Sequence, residues 1–248
     1  MKQKQQKQLV QLIIVAIGLL IYFAINWFRS DVQHQPTQPT TTKQAQKQNN
    51  SNVKVNQQSA VNSDYDFVMS NDPIGPNKNA KTDYYMLALS WSPAFCNNQQ
   101  EKYGKNLPQS ALMQCGTQQK YGWVIHGLWP QNANAQSTTD HPRFCQGDLP
   151  AVDYAIIQNY LTESPSPNLL QGEWEKHGAC AFKSAEKYFK KQQDLYRSLV
   201  LPTEQMNKKD LFRWIKQHNT QLKNAYLAAS RSELFICYDL NWQVIDCK

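Results

Sequence analysis

The chain has 248 residues, 41% of them hydrophobic and 18% charged, with six cysteines and a formal net charge of +7 at pH 7. The charge is dispersed: Lys2, Lys4, Lys7 and Arg29 hold +4, residues 31–77 hold −1, and the remainder holds +4. That balance mildly favours an anionic partner, and it excludes the dense basic stripe of a strong nucleic-acid binder.

The composition changes along the chain, which predicts three segments. Leu9 to Phe28 contains no charged residue, and Leu12 to Ile25 is almost wholly apolar behind the three lysines. A run of about 20 apolar residues is long enough to cross a bilayer. A cleavable signal needs small residues in an Ala-x-Ala-like arrangement, whereas the exit reads IYFAINWFRSD, with Tyr22 two places before Ala24. Residues 1–30 therefore read as a signal segment or, in preference, an uncleaved anchor. Tyr22 and Trp27 suit its far interface, and the lysines hold the N-terminus in the cytoplasm. Residues 31–77 are rich in Gln, Asn, Thr and Ser. Too little apolar surface is present to offset ordering entropy, so they read as a disordered tether. Residues 78–248 form one domain of ordinary size.

Within that domain, DYYMLALSW (83–91) predicts a buried strand. YGWVIHGLWP (121–130) predicts a second strand stopped by Gly127 and Pro130. The spacing of Val152, Ile156, Ile157 and Tyr160 predicts a helix over 151–161, broken by SPSPN. A helix carrying EWEKHGAC follows, with Gly178 near its end. Ser184 caps a helix over 185–200, and KKDLFRWIKQHN (208–219) is amphipathic. ELFICYDLNWQVIDC reads as two strands around a turn at 239–241. Strands at both ends with helices between predict an α+β fold, an antiparallel sheet packed with several helices.

All six cysteines, Cys96, Cys115, Cys145, Cys180, Cys237 and Cys247, lie in this domain. An even count beyond a membrane segment predicts disulfides in an extracytoplasmic, periplasmic-type compartment. The absence of C-x-x-C argues against a zinc ribbon or a thioredoxin-like centre.

The chemistry concentrates in two short stretches. In LQGEWEKHGAC, Glu173, Lys176 and His177 stand at i, i+3 and i+4, one face if the segment is helical. A solvated surface with an ordinary ion pair accounts for these three equally well on their own. His126, in VIHGLWP, stands at a predicted strand end, where scaffolds present reactive groups. A hydrogen-bonded core histidine would also fit it. His34, His141 and His218 read as tether, loop and helix-end residues.

Three chemistries compete for this set. A metal site of His126, His177, Glu173 and Cys180 would place Lys176 beside a cation. A cysteine nucleophile is unavailable if the cysteines are bridged. Paired acid–base catalysis uses every member: two imidazoles titrate near neutrality, and Lys176 offsets charge developing on a phosphorane-like transition state.

VIHGLWP and EWEKHGAC, in this order, resemble the two active-site segments of the T2 family of endoribonucleases, and YMLALSWSPAFC resembles the strand that opens that family's fold. The resemblance spans about Asp83 to Cys247. It implies metal-independent cleavage of single-stranded RNA with low specificity. The 2′-OH would attack to give a 2′,3′-cyclic phosphate, with no cofactor. By motif position it implies His177 as general base, His126 as general acid, Glu173 and Lys176 as transition-state support, and Trp129 as a base-site aromatic. It also implies a Cys145–Cys180 bridge; the predicted terminal hairpin suggests Cys237–Cys247, leaving Cys96 with Cys115.

Two departures stand out. Gly172 occupies a position where many members carry a phosphate-contacting histidine, and Gln131 one where some carry an acidic residue that helps read the base. The expected partners are RNA and, through the N-terminal segment, a membrane, with a monomeric catalytic domain; cleavage of the segment would make the protein secreted. A non-catalytic binding module on the same fold and a metal hydrolase are the competing readings.

Overall fold

The computed structural model describes residues 65–247. The anchor and most of the tether fall outside the described residues, and no helix among the described residues is long and apolar enough to cross a membrane.

Five antiparallel strands form the sheet: β1 (Tyr84–Trp91), β2 (Trp123–Gln131), β3 (Ala228–Ala229), β4 (Glu233–Tyr238) and β5 (Val244–Ile245). Their order is β2-β1-β4-β3, with β5 also paired to β4. Strand β1 is central and reads as an almost continuous apolar run because both its faces are covered. Its Leu87 and Leu89 are fully buried and join Ile125, Leu128, Leu234 and Ile236 in the main core, against which the helices pack. Side chains alternate across a strand, so Ala88 and Ser90 face the opposite side.

The helices are α1 (Ser92–Tyr103), α2 (Gln109–Cys115), α3 (Tyr154–Ile157), α4 (Pro167–Lys176), α5 (Ala185–Arg197) and α6 (Lys208–His218). The first two were not legible in the sequence. Helix α1 begins on a serine–proline pair, ends at Gly104 with φ +60°, and buries only Ser92; it lacks the apolar stripe that marks a helix. The Cys96–Cys115 bond ties it to α2. The Cys145–Cys180 and Cys237–Cys247 bonds also form, so the three expected pairings hold. Ser184 caps α5 through the Lys187 amide, as expected, although the helix ends at Arg197.

Three boundaries differ from expectation. The helix predicted over 151–161 is a single α turn at Tyr154–Ile157 followed by a 3-10 turn at Gln158–Tyr160. The second strand is not stopped by Gly127 but runs through it to Gln131. The folded domain also begins before residue 78. Tyr65 is buried and its hydroxyl donates to the Val152 carbonyl. Asn77 forms a β-bridge with Arg143, and the Met69 amide donates to Asp148. The polar composition hid the anchoring of 65–77, which rests on the buried Tyr65 and on several hydrogen bonds rather than on a run of apolar residues.

Candidate active site

The site lies where α4 ends against β2. Helix α4 starts at Ser166, whose hydroxyl accepts from the Leu169 amide, with Pro167 as first helical residue. Its last turn sorts two glutamates by face, since residues two apart diverge on a helix. Glu175 turns away and accepts from Gln171 and the Leu149 amide, whereas Glu173 turns to β2. The helix stops at Lys176. His177 is its cap, with φ −124°, and its amide still donates to the Glu173 carbonyl at 3.0 Å. A Cβ on Gly178 would lie 2.7 Å from the rings of Trp174 and Tyr188, so glycine lets the chain enter the tight turn to Cys180.

On β2 the pairing slips between Ala88 and Leu89, which face Gly127 and Ile125 and leave His126 as the extra residue of a β-bulge. His126 is therefore not at a strand end, as the glycine suggested; a bulge within the strand re-aims its side chain. Its Nδ1 pairs with Glu233 Oε1 at 2.6 Å, and the Ser90 hydroxyl donates to the same oxygen at 3.4 Å. Glu233 and Val124 both lie opposite Ser90, so a small residue on β1 allows side chains of the two flanking strands to meet. The other nitrogen, Nε2, lies 3.7 Å from Glu173 Oε1. The Trp129 indole donates to Glu173 Oε2 at 2.6 Å. A Cβ on Gly127 would sit 1.9 Å from that oxygen, so the Glu173 carboxylate rests directly on bare backbone.

Trp129 brings the two imidazoles together. Its ring meets His126 edge-on, with centroids 5.2 Å apart, and His177 at 5.6 Å. Besides its expected place beside a base, the indole holds Glu173 in position. Three of the four expected catalytic side chains, His126, Glu173 and His177, thus meet at Trp129, and Lys176 acts on all three through its charge, but their environments are unequal. Burial pushes the His126 imidazolium towards neutrality, yet the Glu233 hydrogen bond and the Glu173 charge outweigh it, so its pKa is raised. Burial and the nearby Arg143, Lys176 and His126 drive the pKa of His177 well down. Its Nδ1 is buried and makes no hydrogen bond among the described residues. Burial raises Glu173, against the pull of His126, Trp129 and Lys176. This arrangement favours the protonated form of His126 and the neutral form of His177.

A cationic cluster adjoins them. Asp72 bridges Lys176 Nζ and Arg143 Nη2, each at 2.8 Å. Arg143 precedes Phe144, whose φ of +45° is rare for a bulky residue. Complete burial, an amide hydrogen bond to the Lys176 carbonyl and the adjoining Cys145–Cys180 bond hold that conformation. Sequence reasoning missed Glu233, Asp72, Arg143 and Phe67. Only the strand order could have paired Glu233 with His126, and the other three lie in segments read as tether or loop.

Gln131 is buried and donates to the Pro130 carbonyl. Gly172 lies beneath Phe67, whose Cδ2 would be 3.2 Å from a Cβ there. His141 accepts from the Asn132 amide and His218 stacks on Trp214; His34 lies outside the described residues. No group of three or more His, Cys, Asp or Glu suited to a metal ion occurs among the described residues, and Cys180, the candidate ligand, is consumed by its disulfide.

Residues 82–230 match the model of the Ribonuclease T2 family. A Haemophilus influenzae protein described as a probable ribonuclease is 60% identical over 188 residues, covering 76% of this chain and 69% of that protein. A ribonuclease of Aeromonas hydrophila is 34% identical over 113 residues, 46% of this chain and 44% of its own. Among solved structures, an RNase-related protein from Calystegia sepium superposes with a TM-score of 0.50 at 20% identity, over 68% of this chain and 92% of that one; at that identity the likeness concerns the fold alone.

Proposed function

The chain belongs to the Ribonuclease T2 family of endoribonucleases, and we propose that it cleaves single-stranded RNA with low specificity by a two-histidine mechanism. Neutral His177 removes the proton from a 2′-OH. The 2′-oxygen then bonds to phosphorus, the bond to the 5′-oxygen breaks, and His126 supplies that oxygen's proton. The products are a 2′,3′-cyclic phosphate and a 5′-hydroxyl. Lys176 and Arg143 offset the charge that gathers on the phosphoryl oxygens. Glu173 and Glu233 keep His126 protonated.

The observation that carries this reading is the opposed tuning of two imidazoles packed on one indole. His126 is clasped by Glu233 at 2.6 Å, whereas His177 is enclosed among cations. Environments that push two titratable groups apart assign acid and base. The three disulfides support an oxidising, extracytoplasmic location. The apolar run over 9–28 supports a membrane anchor, and we take the catalytic domain to act as a monomer.

The test uses the purified full chain. RNA should be degraded in the presence of a chelator, giving 5′-hydroxyl ends, and DNA should survive because it lacks the nucleophile. His126→Ala and His177→Ala should each lose roughly 10²–10⁴-fold in turnover. Equal action on DNA, loss of activity with the chelator, or near-normal turnover in either variant would refute the assignment.

A further inference from the structure

The segment 65–77 lies before the residues that match the family model, which begin at 82, yet it enters the active site. Phe67 covers Gly172 on α4, where a Cβ would touch its ring. That ring stacks on Phe144 with centroids 5.9 Å apart, and Lys176 Nζ lies 5.5 Å from its centre. The segment is pinned on both sides of Phe67, by Tyr65 on Val152, by Met69 on Asp148, and by Asp72 on Lys176 and Arg143. Phe67 is only half-buried. It lines a cavity of about 410 Å³ that also reaches His126 and Glu233, with Phe95, Leu169 and Asn168 among its other walls.

We propose that Phe67 is a substrate-positioning residue whose ring forms a stacking surface for the base of the departing nucleoside. The inference rests on the two-histidine reading. The group that protonates the departing 5′-oxygen must stand beside it, so the departing nucleoside lies on the His126 side of the phosphate. The cavity that opens from His126 is the one Phe67 walls. An aromatic face stacks on any base, which fits low specificity, and anchoring at three points means that little ordering is lost on binding. A residue from outside the matched core thus occupies the space that Gly172 leaves open above α4.

The experiment compares two substrates on the full-chain protein: a dinucleoside monophosphate, and the matching nucleoside 3′-(methyl phosphate), which has no departing base. For Phe67→Leu, which keeps apolar bulk over Gly172 but removes the aromatic face, the ratio of kcat/KM on the first to kcat/KM on the second should fall roughly five- to a hundredfold, the range supplied by one base–aromatic stack. Phe67→Trp should keep or raise that ratio, and it decides the matter if the leucine variant fails to fold. A ratio unchanged in Phe67→Leu, or lost in Phe67→Trp, overturns the proposal while leaving the mechanism intact. A wild-type protein inert on both substrates overturns the mechanism and this inference with it.

Discussion

Replacing Glu233 by Gln tests the assignment of His126 as the acid most directly. The carboxylate lies 2.6 Å from His126 Nδ1. A hydrogen bond to a charged group contributes roughly 1.5–3 kcal/mol net, and one pKa unit corresponds to about 1.36 kcal/mol. The two side chains are 32% and 24% exposed, so solvent screening places the effect at the low end, about 1.5 kcal/mol. The sign follows from the tuning: Glu233 raises His126, so neutralising it lowers His126. With His126 as the acid, activity requires its protonated form and fades as pH rises through its pKa. The alkaline limb of the kcat/KM profile should therefore move towards acid, with roughly tenfold less activity above the wild-type limb. The acid limb, set by His177, should stay in place, and Glu173 at 3.7 Å should keep part of the elevation. A pH–rate series on a dinucleotide, with NMR titration of the imidazole, reads both limbs. An unmoved alkaline limb, or a shift of the acid limb alone, would refute the assignment.

Gly127→Ala puts a Cβ 1.9 Å from Glu173 Oε2; it should cost about 1–3 kcal/mol in urea unfolding and, by displacing Glu173, roughly a hundredfold in turnover. Asp72→Ala leaves Lys176 and Arg143 without their shared carboxylate, at a cost of about 3 kcal/mol at pH 7, the low end for a buried pair because the Lys176 side chain is 22% exposed. Burial alone would raise the Asp72 pKa, but its bonds to Lys176, Ile74 and Arg143 hold it far below the usual range. Its contribution is thus complete above about pH 4 and fades as pH falls towards the folded value, so the gap between wild type and variant should narrow at pH 3; an unchanged gap would remove Asp72 from acid stability. Gly172→Ala gains up to about 1 kcal/mol of helix propensity against a small displacement of the Phe67 ring, 3.2 Å from the new Cβ. A net gain of a few tenths of a kcal/mol is expected by thermal unfolding, and a loss above about 1 kcal/mol would mean the ring cannot yield.

Much of the site was legible because its chemistry is local. EWEKHGAC sets Glu173, Lys176 and His177 on successive turns, and a helix ending near Gly178 was readable around them. His126 was found, but its setting was misread, since Gly127 suggested a strand end. In the fold that glycine makes room for a carboxylate from another element, and the bulge at His126 shows only in the pairing with β1. Helices α1 and α2 were missed because a disulfide substitutes for an apolar face.

The sequence by itself determined the chemical inventory: two imidazoles, a lysine and a carboxylate in motifs whose spacing is short enough for backbone geometry to set. It also determined the α+β class, through hydrophobic periodicity. Only the tertiary structure decided the surroundings in which those groups stand. Glu233 reaches His126 across a central strand, and Asp72 reaches Lys176 from more than a hundred residues before it. Which imidazole holds its proton depends on these distant charges and on burial. Both are properties of packing, and no window of neighbouring residues contains them.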